Sequence, residues 1–231
     1  MNSFALTNGR KVELSAVAVP ADPTFRDAMM TGLVWVEEAG MGFSGSALRA
    51  PSIYDLDYWT SYQERASSPI ADALNACRVR MVDRYVGEAD VLDVGIGAGT
   101  FIETRSHPTY GYDVNPYGVE WLRSRNLWRD PYEVEVPHAC FWDALEHVHD
   151  PAVLLRNVRE FAFVSLPIFA DARDVLASKH YKPTEHIWYW TRDGLVGWMA
   201  AQGFDCLEHG TPESLIGRED IHSFVFHRAL P

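Results

Sequence analysis

The sequence predicts an α/β fold built on an open, mostly parallel sheet that is covered by helices on both faces. Short apolar runs typical of strands alternate with helical patterns through roughly the last 140 residues. A glycine-rich turn follows the first of these strands, at residues 95–99. The 231 residues, 47% of them hydrophobic, are enough for one sizeable core.

The chain divides near residue 52. Residues 1–51 combine an Asn8-Gly9 turn signal, a short strand pattern and a glycine-rich connector. They are interpreted as an N-terminal extension that serves as a hairpin, a lid or a partner-binding arm, and they offer a surface for a homodimer. Residues 52–231 are expected to form the main domain, which opens with a helical pattern from Ser52 to about Val86.

The later elements follow in alternating order. Strands are predicted at residues 90–94, 109–114, 138–142, 161–168, 204–209 and 222–228, and helices in PYGVEWLRSRN, PAVLLRNVREF and RDGLVGWMAAQ, with a short helix after the glycine turn. Asp150 and Thr191 are suitable N-caps, Pro151 suits a first helical position, and Gly203 suits a helix end. This order favours a parallel sheet with crossover helices.

The amino-acid composition narrows the range of functions that this protein can have. The formal net charge of −12 disfavours binding to duplex nucleic acid, which needs a basic surface, and favours a small or uncharged partner. No apolar run suits a membrane-spanning helix or a signal peptide, and three widely spaced cysteines suggest neither a disulfide framework nor a cysteine zinc site. A cytoplasmic location, with no membrane partner, is therefore expected.

The glycine-rich turn is the first candidate site. Asp93 ends an apolar strand, and Gly95, Gly97 and Gly99 follow it, so backbone amides can approach a ligand at the carboxyl edge of the sheet. Thr100 stands where a nicotinamide-binding loop has its third glycine, which disfavours a dehydrogenase. Asp113, 18 positions after Gly95, can accept hydrogen bonds from both hydroxyls of a ribose. In the structural alternative the glycines only make a tight turn and Asp113 caps the next helix.

At these residues the sequence resembles the class I S-adenosylmethionine-dependent methyltransferases, over about Tyr54 to Arg228. LEHVHDP, a strand ending in SLP, EHIWYWTRDGL and a late helix ending in AQGF resemble the subgroup of ubiquinone-biosynthesis O-methyltransferases. The resemblance implies that Asp93 to Gly99 hold the methionine portion of the cofactor and that Asp113 holds its ribose. It also implies a seven-stranded, doubly wound Rossmann-like sheet whose last strand, HSFVFHR, is antiparallel.

A second candidate site follows the strand HACFW. Asp143, Glu146 and His147 have the spacing of one helical face, and His186 comes later in TEHIWYW. Two carboxylates and two imidazoles are a ligand set for a divalent cation, and ligand type alone does not separate Mg, Mn, Fe and Zn. The set is similar to that of the small-RNA 2'-O-methyltransferases, whose metal binds the two terminal ribose hydroxyls. Asp143 departs from it, because the family has Glu there.

The same residues can also be interpreted without a bound metal. His147 and His186 then order loops by hydrogen bonding, or one of them acts as the catalytic base. A metal would instead lower the pKa of a bound hydroxyl and orient that hydroxyl toward the sulfonium methyl group.

Aromatic residues complete the candidate sites. Tyr54, Tyr58, Trp59 and Tyr62 are interpreted as a lid over cofactor and substrate, or as packing between helix and sheet. Phe141 and Trp142, at the end of a strand, match positions that line the adenosyl pocket in the family. Trp188 is expected to wall the substrate pocket.

The sequence thus predicts an S-adenosylmethionine-dependent methyltransferase, acting on an oxygen of a small molecule or of a nucleotide or sugar, with metal assistance as an open question. Two alternatives stay open: an RNA-terminal ribose 2'-O-methyltransferase, and a non-catalytic adenosyl-binding regulatory protein that grips a partner through residues 1–51.

Overall fold

The computed structural model describes residues 3–5, 11–13, 32–44, 46–47 and 54–229. The Asn8-Gly9 turn and the boundary near residue 52 lie outside the described residues. Strands β1 (Ser3–Ala5) and β2 (Lys11–Glu13) pair antiparallel. None of the helices in the described ranges has the length and apolar character needed to span a bilayer.

The central sheet confirms the α/β prediction. Its strands are β5 (Val91–Val94), β6 (Thr109–Tyr112), β7 (Val136–Trp142), β8 (Val158–Pro167), β10 (Phe204–Gly210) and β11 (Ile221–Arg228), in the order β10-β11-β8-β7-β5-β6. Strands β5 to β8 run parallel, and β11 is antiparallel to both neighbours. The last strand therefore has the direction that the resemblance implied.

A seventh strand is reduced to a single bridge. Trp128 forms a parallel bridge with Gly111 at the free edge of β6, through hydrogen bonds from the Gly111 amide to Leu127 and from the Arg129 amide to Gly111. Pro131 follows shortly after, and a proline has no N–H to extend the ladder. The sheet consequently has six strands where the resemblance implied seven.

Helices cover both faces of the sheet. They are α1 (Leu56–Ala66), α2 (Pro69–Val86), α3 (Thr100–Thr104), α4 (Pro116–Ser124), α5 (Pro151–Leu155), α6 (Ala172–Ala177) and α7 (Arg192–Ala201). Side chains alternate along a strand, so successive residues pack on opposite faces of the sheet. Cys140 and Phe163 share an apolar cluster with Met81 of α2. The next residues along the two strands, Phe141 and Val164, share another with Leu154 of α5 and Leu195 of α7. This two-sided burial is what a doubly wound sheet requires.

Two helices differ from the sequence prediction. The helical pattern from Ser52 to Val86 is broken between α1 and α2, where Ser68 caps α2 and Pro69 occupies its first turn. The helix that begins at Pro151 ends at Leu155, and β8 starts at Val158. The β-branched and aromatic residues of β8 favour a strand, and burial between two neighbouring strands outweighs the helical spacing.

A second sheet joins the N-terminal region to the main domain. Strands β3 (Leu33–Val36) and β4 (Met41–Ser44) form a hairpin, and β4 also pairs antiparallel with β9 (Trp188–Trp190). Met41 and Ala39 lie in the same apolar cluster as Trp190 and Leu195. Residues 33–44 are therefore packed against the segment between β8 and α7.

Candidate functional site

The glycine turn lies at the carboxyl end of β5, as predicted. Gly95, Gly97 and Gly99 have φ values of 77°, 54° and 79°, a region that favours glycine. A Cβ atom at Gly99 would lie 2.7 Å from Trp121, and one at Gly95 would lie 2.9 Å from Ala144. All three positions therefore favour glycine for their conformation, and Gly95 and Gly99 need it for space as well.

Two carboxylates lie beside this turn. Asp93 is buried and its Oδ1 atom has no hydrogen-bond partner among the described residues. Asp113 accepts a hydrogen bond from the Asn115 amide at 2.8 Å. Burial raises the pKa of Asp113, and hydrogen bonds from the backbone amides of Asn115, Ile96 and Gly97 partly oppose that rise. Backbone amides of the glycine turn therefore lie close to Asp113, although Asp113 is 18 positions away in the sequence from Gly95.

Helix α1 lies over the turn. The Gln63 side chain donates to the Ala98 carbonyl at 3.1 Å, and the Tyr62 ring is 3.1 Å from the position of a Cβ on Gly97. The Tyr58 and Tyr62 rings stack at 4.8 Å, and their hydroxyl groups are 3.0 Å apart. Trp59 instead packs on the apolar cluster of Ile96, Ile102 and Leu122. Trp59 thus packs between helix and sheet, whereas a lid formed by Tyr58 and Tyr62 stays a prediction.

Tyr54 is influenced by charges of both candidate sites. Burial, and then the charge of Asp113, raise its pKa to about 12, and the charges of Glu185 and Glu146 add to the effect. Tyr54 therefore lies within electrostatic range of both Asp113 and Glu146.

The second site brings together three of its four predicted residues, here called the Glu-His cluster: Glu146, His147 and His186. Ligand atoms of the three lie within 4.8 Å of one another. Glu146 and His147 belong to a 3-10 turn after β7, and His186 precedes β9. The two imidazole rings meet edge to face at 4.6 Å.

Glu146 and His186 are buried, and His147 is half-buried. Burial, reinforced by the charge of Asp143, raises the pKa of Glu146 to about 8, and neither carboxylate oxygen has a partner among the described residues. Burial lowers the pKa of both histidines, and for His186 the neighbouring His147 adds to this effect. Since the Glu185 carbonyl, 3.1 Å from His147 Nδ1, can only accept, Nδ1 carries the proton and Nε2 keeps a lone pair.

The prediction that Asp143 belongs to this set is wrong. Asp143 has a φ of 53° and lies outside the 3-10 turn, so the helical spacing does not apply to it. Arg218 binds both of its oxygens at 2.9 Å, and Arg78 binds Oδ2 at 3.0 Å. Burial raises the pKa of Asp143, but the charges of the two arginines outweigh burial and hold the pKa below its usual value.

Sequence reasoning missed this ion network. Arg78 and Arg218 also bind Glu213, which is fully buried, so two cations and two carboxylates balance each other. Arg78 further lies 5.0 Å from the Trp142 ring. The residues come from α2, from the loop after β7 and from the segment before β11, and no local pattern connects them.

Two aromatic predictions, for Phe141 and Trp142, need correction, and the prediction that Trp188 walls the substrate pocket stays a prediction. Phe141 is completely buried in the core, and Trp142 packs on Phe101 from the other face of the sheet, so strand alternation prevents the two from lining one adenosyl pocket. Trp188 packs on Trp190 and donates to the Val148 carbonyl at 2.8 Å. The ring of this strand that contacts His186 is Tyr189, at a centroid distance of 6.0 Å.

The buried carboxyl of Glu146 predicts a specific pH dependence of stability. Its pKa is raised in the folded protein, so its stabilising contribution is complete below about pH 4.5 and is lost as the pH rises through about 8. In EDTA-treated protein, Glu146→Gln should therefore raise the free energy of unfolding at pH 9 by about 2 kcal/mol and change it little at pH 4.5.

Urea unfolding at the two pH values measures this effect. Glu120→Gln, on the exposed face of α4, is the control and should show no difference between the two pH values. An equal effect of Glu146→Gln on the free energy of unfolding at both pH values would contradict the raised pKa of Glu146.

The chain is similar to known proteins in its family match and in its fold. Residues 58–209 match the family model described as a methyltransferase domain. No curated protein matches the chain. Magnesium protoporphyrin IX methyltransferase from Synechocystis PCC 6803, solved with bound S-adenosylhomocysteine, is similar in fold, with a TM-score of 0.54 and 12% identity over 75% of this chain and 94% of that one.

Two further solved structures have the same fold. A S-adenosylmethionine-dependent methyltransferase from Clostridium acetobutylicum gives a TM-score of 0.53 at 11% identity, covering 75% of this chain and 98% of that one. One from Archaeoglobus fulgidus gives 0.52 at 14% identity, covering 74% and 100%. With its family match over most of the main domain and its central sheet, the chain belongs to the methyltransferase-domain family and has the fold of the S-adenosylmethionine-dependent methyltransferases.

Proposed function

We propose that this protein transfers a methyl group from S-adenosylmethionine to a hydroxyl oxygen of a small molecule, and that the Glu-His cluster handles the acceptor. The observation that carries the proposal is the burial of an unpartnered carboxyl beside two imidazoles at the carboxyl edge of the sheet that also carries the glycine turn. Buried polar groups without partners are rare outside binding and catalytic sites.

The residues around the turn fit the cofactor. Gly95, Gly97 and Gly99 give the turn a backbone conformation that directs amides toward the carboxyl edge of the sheet, Asp93 offers an unpartnered carboxylate oxygen, and Asp113 would accept from ribose hydroxyls. When bound, S-adenosylmethionine supplies a methyl group already activated on a sulfonium. Tyr58 and Tyr62 would cover the site and exclude water from it.

The cluster supplies a base. Nε2 of His147 keeps its lone pair because Nδ1 donates to the Glu185 carbonyl, and burial keeps the ring neutral. A neutral imidazole in this position would take the proton from an acceptor hydroxyl as the oxygen attacks the methyl carbon, while the bond from that carbon to the sulfonium sulfur breaks and S-adenosylhomocysteine leaves. Methyl transfer otherwise needs mainly alignment of the oxygen with that carbon.

A second candidate is metal-assisted transfer, which the same cluster favours. Glu146, His147 and His186 offer one carboxylate and two imidazole ligands, which fit a divalent cation such as Mn, Fe or Zn and leave open positions for substrate oxygens. Such a cation would lower the pKa of a bound hydroxyl. Because Glu146 must lose its proton to bind a cation, Mn²⁺ affinity in calorimetry should rise with pH up to about 8.

The test uses tritiated S-adenosylmethionine and a panel of phenols, catechols, nucleosides and sugars, with EDTA-treated protein assayed with and without Mn²⁺. His147→Ala should lower methyl transfer at least about 100-fold while leaving the affinity for S-adenosylhomocysteine within about twofold. His149→Ala is the control, because that exposed histidine lies two residues further along the chain and outside the cluster.

The outcomes separate the candidates. Turnover without added metal supports His147 as the base, and turnover only with Mn²⁺ supports the metal-assisted route. Unchanged turnover in His147→Ala would contradict both. Cofactor binding with no turnover of any acceptor would favour the non-catalytic regulatory protein.

A further inference from the structure

The turn that carries His186, residues 182–187, belongs to neither a helix nor a strand. Within it, the amides of Glu185 and His186 donate to the Lys182 carbonyl at 2.9 and 2.8 Å. Bonds within one short turn fix its internal shape but not its position against the rest of the protein. The position of the His186 ring therefore depends on contacts from elsewhere in the chain.

Ser44, at the end of the N-terminal hairpin, makes two of these contacts. Its Oγ atom donates to the Pro183 carbonyl at 2.6 Å, and its amide donates to the Ile187 carbonyl at 2.8 Å. The two bonds hold the turn at Pro183 and Ile187, which lie on either side of His186 in the sequence. Ser44 is completely buried, so water does not compete for either bond.

The hairpin continues this contact along β9. Gly42 and Phe43 of β4 pair with Tyr189 and Trp188, so Ser44 is the next rung of an existing ladder. At the other end of the hairpin, the Gly40 carbonyl accepts from the Thr191 amide at 2.8 Å. The hairpin thus holds the chain from Pro183 to Thr191 over its whole length.

The opposite side of the turn faces the Glu-His cluster. The Ile187 amide donates to the Glu146 carbonyl at 2.8 Å, and the Glu185 carbonyl accepts from His147. The turn is therefore held between Ser44 on one side and the 3-10 segment of Glu146 and His147 on the other. A shift of the turn away from Ser44 would change the distance between the two imidazoles.

We infer that Ser44 is a positioning residue that sets the His186 imidazole against Glu146 and His147, which makes the hairpin of residues 33–44 a structural part of the proposed acceptor site. Only the expected effect of Ser44 on turnover rests on the proposed function. Independently of that function, the inference predicts that removal of the buried Ser44 hydroxyl moves the His186 ring, which this hydroxyl does not contact. Displacements of about 1 Å in such a site lower rates by up to about 100-fold.

The test compares Ser44→Ala with a matched control. Thr109→Val also removes a buried hydroxyl that donates to a backbone carbonyl, but at the amino end of β6, away from the cluster. Long-range ¹H–¹⁵N spectra of histidine-labelled, EDTA-treated protein report on each ring, with His147→Gln and His186→Gln used for assignment. Ser44→Thr, which keeps the hydroxyl, serves as the conservative variant.

We expect Ser44→Ala to shift the ring nitrogens of His147 and His186, and to speed amide hydrogen exchange at Glu185 and Ile187 about 10-fold. Thr109→Val and Ser44→Thr should leave the ring-nitrogen shifts and the amide exchange rates as in the wild type. Unchanged ring signals in Ser44→Ala, or equal changes in Thr109→Val, would overturn the inference.

Turnover separates this inference from the proposed function. Given an acceptor, Ser44→Ala should lower kcat about 10-fold without changing the affinity for S-adenosylhomocysteine. If the ring signals shift but the wild type methylates no acceptor, the positioning role of Ser44 stands and the proposed function fails.

Discussion

Asp113→Ala is expected to lower the affinity for S-adenosylhomocysteine about 100-fold, because two charge-assisted hydrogen bonds to ribose contribute together about 3 kcal/mol. The loss has a second source in this protein. The amides of Ile96 and Gly97 also lie close enough to Asp113 to lower its pKa, so its removal should loosen the turn that would hold the rest of the cofactor. Isothermal titration calorimetry measures the change directly.

Asp83→Ala is the control for this variant. The Asp83 carboxylate is also half-buried and accepts from Arg105 at 2.7 Å, but Arg105 lies near the start of β5, at the opposite edge of the sheet. Arg105 keeps its bonds to the Gly87 and Ala89 carbonyls in that variant. Comparable losses of affinity in the two variants would contradict a specific role for Asp113.

Gly194→Ala is expected to destabilise the protein by about 3 kcal/mol, because the added methyl group has no room. A Cβ atom at Gly194 would lie 2.0 Å from the Gly40 carbonyl oxygen and 2.9 Å from that of Ala39. Both neighbours are backbone atoms, so either helix α7 or the hairpin must move. Chemical denaturation monitored by tryptophan fluorescence measures the loss.

Gly197→Ala provides the comparison within the same helix. Gly197 lines a surface groove of about 270 Å³, and alanine there should raise stability by up to about 1 kcal/mol through its better helix propensity. If Gly194→Ala were as stable as the wild type, the close packing of the hairpin on α7 would be wrong. Under the positioning role inferred for Ser44, Gly194→Ala should also disturb the ring signals of His186.

Local signals in the sequence predicted much of the fold. The strand before the glycine turn, the cap at Asp150 and the cap at Thr191 all lie where their residue types indicate. Each of these signals acts within a few residues, which is the range over which capping and turn preferences operate. The antiparallel direction of the last strand came instead from the family resemblance.

The candidate site was predictable only in part. Glu146 and His147 share a short motif, and His186 was recognised because a similar motif exists in related enzymes. The partners of Asp143 are 65 and 75 residues away in sequence, and Ser44 lies 139 residues from the carbonyl that it binds. No periodicity or spacing rule connects such residues, because their contacts exist only once the sheet has formed.

In the proposed function, the glycine turn and Asp113 hold an adenosyl ligand whose reactive end faces the Glu-His cluster. A crystal structure of the protein grown with S-adenosylhomocysteine would locate each part of that ligand. We expect ribose hydroxyls hydrogen-bonded to Asp113, the homocysteine portion along residues 93–99, and the sulfur atom directed toward His147 and His186. A ligand bound with its ribose away from Asp113, or with its sulfur directed away from the cluster, would show that the proposed arrangement is wrong.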